Sequence, residues 1–208
     1  MIYNKEYIKQ LDRITRLKII NSVTGIKPAN LIGTINNQGL TNLAIFSSVV
    51  HLGSDPALLG FIARPQTENV GHTIRNIQDT KRYTINHIHP EFIKNAHYTS
   101  AKFESEISEF ERCKLTEDYI DGFEAPFVQE SNFKIGLQFK EALDIKLNGT
   151  TLIIGEIEYI SLPDNALVNG DIDLETTQSM GISGLNSYYA LKKIESHPYV
   201  KINEVPEF

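Results

Sequence analysis

Two stretches of this 208-residue chain place polar side chains where they could do chemistry. The first, Thr41 to Ser48 (TNLAIFSS), sets short polar and small residues at the end of an expected strand. There, backbone N–H and C=O groups can be approached closely. A flat heteroaromatic ring needs such an edge, with amides for its carbonyl and ring-nitrogen side and little bulk over its face. The second, Phe61 to Asn69 (FIARPQTEN), brings Arg64, a fixed cation whose fork of donors suits a phosphate. Thr67, Asn69 and Thr73 stand near an expected helix start, where free backbone N–H groups and the helix dipole favour an anion. By residue type alone the commoner roles are plainer, with the hydroxyls as caps and turn residues and Arg64 as a surface charge.

Other groupings carry less. His87-Ile88-His89 sets two imidazoles on one strand face, with Glu91 nearby and His97 on a following helix. Imidazole is a common metal ligand, but a third ligand at a recognisable spacing is missing, so packing and hydrogen bonding are the expected roles. The carboxylates of Ser105 to Glu111 (SEISEFE) fall at helical spacing and read as a solvated acidic face, not as a hydrolytic pair. Tyr188-Tyr189 could stack on a ring or serve as core or dimer contacts. Cys113 is the one cysteine and has no motif around it, so it reads as a small buried apolar residue.

These residues need elements to hold them. Apolar positions from Tyr7 to Ile20 recur at helical spacing and predict an N-terminal helical extension over about 5–22. Residues 30–35 and 40–50 read as strands around the turn Asn36-Asn37-Gln38-Gly39, with Asn37 and Gly39 suited to positive φ. After the turn at 53–56, the apolar run Ala57 to Ala63 reads as a strand covered on both faces. A helix over 72–80, capped by Thr67 or Asn69, precedes a strand at 82–88. Short helices are expected over 90–98 and 105–115. The acidic stretch 118–131 is an excursion within one domain spanning 1–208. Two long strands, 133–146 and 150–160, flank Asn148-Gly149, the strongest hairpin signal in the chain. A last helical piece is expected near 186–193. Hairpin-linked strands outnumber helices, which argues for a mainly β fold, an antiparallel sheet closed into a barrel with peripheral α-helices. A Gly-x-Gly-x-x-Gly after a strand is absent, which argues against a dinucleotide-binding α/β fold.

The formal net charge of −6 and the lack of a basic run argue against a nucleic-acid partner. One cysteine forbids an intrachain disulfide, and the start MIYNKEYIKQ lacks a signal-peptide layout, so a cytoplasmic location is the simplest expectation.

Four strings in order, NLAIFSSVVHLGSDPALLGFIARP, HTIRNIQDTKRYTIN, SAKFESEISEFERCKLT and LIIGEI, resemble the flavin-reductase-like family of FMN-binding split barrels. The likeness runs from about Ala29 to Tyr189. It implies a split β-barrel, usually a homodimer with FMN near the interface, and NADH or NADPH as electron donor. Electrons would pass to a flavin, a ferric complex or a partner oxygenase. It matches Asn42, Ala44, Ser47 and Ser48 to the strand that contacts the flavin, Arg64 to the phosphate-side arginine, and Thr73 to the threonine opening the next helix. Thr67 joins the phosphate end. Where family members often carry Lys-Asp-Thr, this chain has Gly71-His72-Thr73 and so lacks the lysine. With cofactor chemistry, no separate catalytic residue is required. A flavoredoxin-like electron carrier without direct nicotinamide oxidation is the alternative, and a flavin-binding module is a third reading.

Overall fold

The computed structural model describes residues 1–65 and 71–207. In chain order it runs α1 (Lys5–Gln10), α2 (Arg13–Ser22), β1 (Lys27–Pro28), β2 (Asn30–Ile35), β3 (Thr41–Phe46), β4 (Val50–Ser54) and β5 (Ala57–Ala63). Next come α3 (His72–Thr80), β6 (Arg82–His87), a 3-10 turn at Pro90–Phe92, α4 (Ile93–Tyr98) and α5 (Glu109–Arg112). The two-residue strands β7 (Glu117–Asp118) and β8 (Phe127–Val128) lead into β9 (Lys134–Ile145) and β10 (Thr150–Ser161). The small strands β11 (Leu167–Val168) and β12 (Asp171–Ile172) precede β13 (Met180–Ser183) and β14 (Ser187–Ala190).

The main sheet has seven antiparallel strands in the order β3-β2-β6-β9-β10-β5-β4. β3 and β4 follow each other in sequence yet lie at opposite edges, so residues 47–49 must carry the chain across the gap between those edges. Ser48 holds the crossing: its hydroxyl accepts from the Ile62 N–H and donates to the Ile62 carbonyl, both at 3.1 Å. Phe46 meets Phe61 edge-on across the same gap, with centroids 4.9 Å apart. This rolls the sheet into a split barrel.

Alternation puts successive residues of β2 into two cores. Leu31 joins Leu43, Ile88, Phe92 and Phe110 beneath α4 and α5. Ile32 joins Phe61, Ile74, Ile77, Tyr83, Ile85 and Ile153 beneath α3. Both faces of β2 are therefore covered. Gly155 lets the Tyr83 ring in, because a Cβ there would occupy the place of the Tyr83 hydroxyl.

Several expected elements came out differently. The N-terminal helix is two pieces, because Asp12 turns its carboxylate onto the N–H groups of Ile14 and Thr15, 3.0 Å each, and starts a new helix. The strand expected at 40–50 breaks at the barrel crossing. Only Gly39 of its leading turn is left-handed, at φ 84°, and Asn37 is not. Of the helix expected at 105–115, only Glu109–Arg112 forms, and Lys114 ends it with φ 56°. The helix expected near 186–193 is the strand β14, which pairs Tyr188 and Tyr189 with Ile182 and Gly181 of β13. Tertiary pairing there outweighs local propensity. Asn169-Gly170, both left-handed, makes a small hairpin between β11 and β12 that was not expected. Among the described residues no helix is long and apolar enough to cross a membrane.

Candidate functional site

The site is built along β3, an edge strand whose outer side meets helices instead of another strand. Asn42 is buried, and its Nδ2 donates to the Thr73 hydroxyl at 3.1 Å. This ties β3 to the first turn of α3. One turn on, Asn76 Nδ2 donates to Thr34 Oγ1 on β2 at 3.1 Å. Two carboxamides thus dock α3 against the hairpin, and one of them brings Asn42 and Thr73, two separate candidates from the sequence, into direct contact.

Gly71 occupies the N-cap of α3 with φ 108° and has no side chain with which to cap. A residue with a Cβ would be strained there. The expected caps Thr67 and Asn69 lie outside the described residues, so Thr67 as a phosphate contact has no structural description. Arg64 is exposed at the end of β5, two residues beyond the Ile62 that Ser48 grips. Ala44 and Ser47 are half-buried on β3 and at the start of the crossing. The Ser48 hydroxyl is committed to Ile62, so its first role is to close the barrel.

A cavity of about 110 Å³ opens beside Asn42, lined among others by Thr41, His72, Arg75, Asn76 and Ser105. Arg75 was not expected at a site. Its spacing of three from His72 places both on one face of α3, the signal that could have found it. Burial and the Arg75 charge hold His72 below the usual imidazole range, partly offset by Glu106.

The outer edge of β3 is held by an acid. The Leu43 N–H donates to Glu109 Oε2 at 2.9 Å, and Glu109 is buried, its carboxyl pushed up by desolvation. This corrects the reading of SEISEFE as wholly solvated: Glu106 and Glu111 are exposed, Glu109 is not. Thr41 adds a second tie, bonding Ser108 at 2.7 Å and Glu117 at 2.6 Å.

The histidines take structural roles. His87 stacks on Phe133 at 4.1 Å and pairs with Ser179 at 3.0 Å, and burial pulls it down to about 4. His89 bonds the Glu130 carbonyl and lines, with Glu91, Asn132 and Gln178, a second cavity of about 520 Å³. No cluster that could hold a metal occurs among the described residues. His97 Nδ1 and the Tyr188 hydroxyl lie 2.9 Å apart, and burial pushes that phenol up to about 12. Cys113 is buried beneath α5, its thiol raised by burial.

Comparison with known proteins agrees with this geometry. Residues 26–176 match the family described as flavin reductase like domain. A crystal structure from Shewanella frigidimarina NCIMB 400, described as a candidate flavin reductase with split barrel domain, is 45% identical. It superposes with a TM-score of 0.92 over 96% of this chain and 100% of that one. Nitrilotriacetate monooxygenase component B from Bacillus cereus shares the fold at 16% identity, TM-score 0.82, covering 95% of this chain and 98% of that one. Flavoredoxin of Desulfovibrio vulgaris (Miyazaki F) does so at 20% identity, TM-score 0.71, covering 84% and 92%. The family match over most of the chain and the 45% identical split barrel place this chain in the flavin-reductase-like family, as a flavin oxidoreductase by class.

Proposed function

We propose that this chain is a single-domain flavin reductase that binds FMN along β3, takes electrons from NADH or NADPH, and passes them to a flavin, a ferric complex or a partner oxygenase. The observation that carries the reading is spatial. Asn42, Ala44, Ser47 and Ser48 lie along β3 and the crossing that follows it, Asn42 bonded to Thr73 in the first turn of α3 and Ser48 to Ile62, two residues before Arg64.

The residues fit such a group. Ala44 and Ser47 put little bulk over a flat ring, and the backbone between them offers amide donors to its polar edge. Thr73 and the first-turn N–H groups of α3, whose N-cap is a bare glycine, suit the phosphate. Arg64 brings the compensating charge, and Thr67 stands in the sequence between them. Arg75, which lines the same cavity as His72, supplies the cation that the triplet Gly71-His72-Thr73 lacks. The chemistry that FMN supplies when bound is hydride uptake followed by release of one or two electrons. The protein's share is to fix the ring, keep one face open and hold the strand rigid, which Glu109 and Ser48 do from its two sides. The working form is a homodimer with the flavin near the interface.

The test is an absorbance spectrum after loading with FMN and desalting, followed by anaerobic mixing with NADH or NADPH. Retained flavin that bleaches with either nucleotide is the expected result. Retained flavin that ignores both would replace the reductase with a flavoredoxin-like carrier. No retained flavin, together with no turnover of free FMN, would overturn the reading.

A further inference from the structure

The two ends of the chain carry apolar surface that nothing in their own fold covers. α1 and α2 are six and ten residues long and contain no buried residue. Helices this short are marginal in water without tertiary packing. Yet Tyr7, Ile14, Leu17, Ile20 and Val23 all face solvent, Ile14 at 65% and Val23 at 69% exposure. At the other end, residues 191–201 have no regular secondary structure, and the segment through Val205 bares Ile194 at 83%, Tyr199 at 91% and Ile202 at 96%.

We infer that these terminal segments clasp a second copy of this chain. The inference rests on the homodimer proposed above and assigns surfaces to it. Three observations choose this occupant. At roughly 100–200 Å² for each large side chain, the eight exposed apolar residues offer on the order of 1,000 Å² per chain, enough for the about 800 Å² per partner of a standard interface. Charge is complementary as well. Residues 1–27 hold six Lys/Arg against two Asp/Glu, while the whole chain is at −6, so the helices are basic and the remaining body is acidic. In a two-fold pair each such contact is made twice. Finally, the C-terminal segment is charge-balanced, Lys192, Lys193 and Lys201 against Glu195, Glu204 and Glu207. An anionic lipid surface would attract the helices but leave that segment bare, whereas a second protein surface covers both.

The experiment is sedimentation analysis of the full chain loaded with FMN, at several salt concentrations. Two variants accompany it, Ile14→Glu with Leu17→Glu, and Tyr199→Glu with Ile202→Glu. Circular dichroism melts check that each variant folds, which exposed positions permit. The expected result is a wild-type pair of 23.5 kDa chains, with dissociation at least about a hundredfold easier in both variants. Variants that pair as tightly as wild type would overturn the clasp and leave the dimer standing on other surfaces. A monomeric wild type that keeps its flavin would overturn both the clasp and the dimer, but not flavin binding. Binding to phosphatidylserine vesicles that is lost in the helix variant, with pairing unchanged, would assign the helices to lipid instead.

Discussion

Ser48→Ala tests the barrel closure directly. The Ile62 N–H and C=O point away from β10, toward the side where β4 would pair, but β4 begins only at Val50, opposite Gly60. Ser48 stands in for the missing strand and satisfies both groups with one hydroxyl. Each such bond is worth about 0.5–1.5 kcal/mol net, and the half-buried Ile62 groups would then rely on water, so a loss of about 1–3 kcal/mol is expected. With a urea slope of about 2 kcal/mol/M, that moves the unfolding midpoint down by roughly 0.5–1.5 M. The assay is urea unfolding of flavin-free protein followed by tryptophan-independent far-UV ellipticity, since the chain has no Trp. Ser47→Ala is the control: among the described residues the neighbouring hydroxyl holds no such bridge, so its stability should stay within about 0.5 kcal/mol of wild type. A Ser48→Ala midpoint equal to that of Ser47→Ala would refute the claim that Ser48 closes the barrel.

Four further outcomes follow from the geometry. Tyr83→Phe should stabilise the protein by about 1 kcal/mol, because the buried Tyr83 hydroxyl has no hydrogen-bond partner among the described residues; thermal melts check this. His87, held at about 4 against an ordinary 6.5, stays neutral when folded, so the unfolded chain binds the proton first as pH falls. Stability should drop by about 3 kcal/mol between pH 6.5 and 4, and His87→Asn should flatten that segment of the curve. Glu109 has the opposite sign: its carboxyl is raised when folded, so its contribution is full below its ordinary range and is lost as pH rises through the raised value. Glu109→Gln keeps an oxygen for the Leu43 N–H and should abolish that dependence in urea titrations run against pH. Arg64→Ala should leave stability within about 0.5 kcal/mol, since Arg64 is exposed. It should weaken FMN about tenfold or more by fluorescence titration, as expected for a charge-assisted phosphate contact.

Much of this protein was legible before folding because the deciding interactions are local. The helix His72–Thr80, the hairpin at Asn148-Gly149 and the strands of residues 30–35 and 57–63 follow from apolar spacing and turn chemistry, and the structure reproduces their bounds closely. The ordered strings that resemble the flavin-reductase-like family fall within residues 26–176, which the family match covers, although the likeness was drawn from about Ala29 to Tyr189. What only the tertiary structure decided lies wherever a long-range contact competed with local preference. β14 is a strand because β13 offers it a ladder, although its sequence also fits a helix. Glu109 is buried because the open edge of β3 needs an acceptor for Leu43, a demand that SEISEFE does not display. Ser48 closes the barrel, and Asn42 meets Thr73, because β3 and β4 end up at opposite edges of one sheet. Local spacing sets which face a residue is on; only the closure of the sheet sets what that face meets.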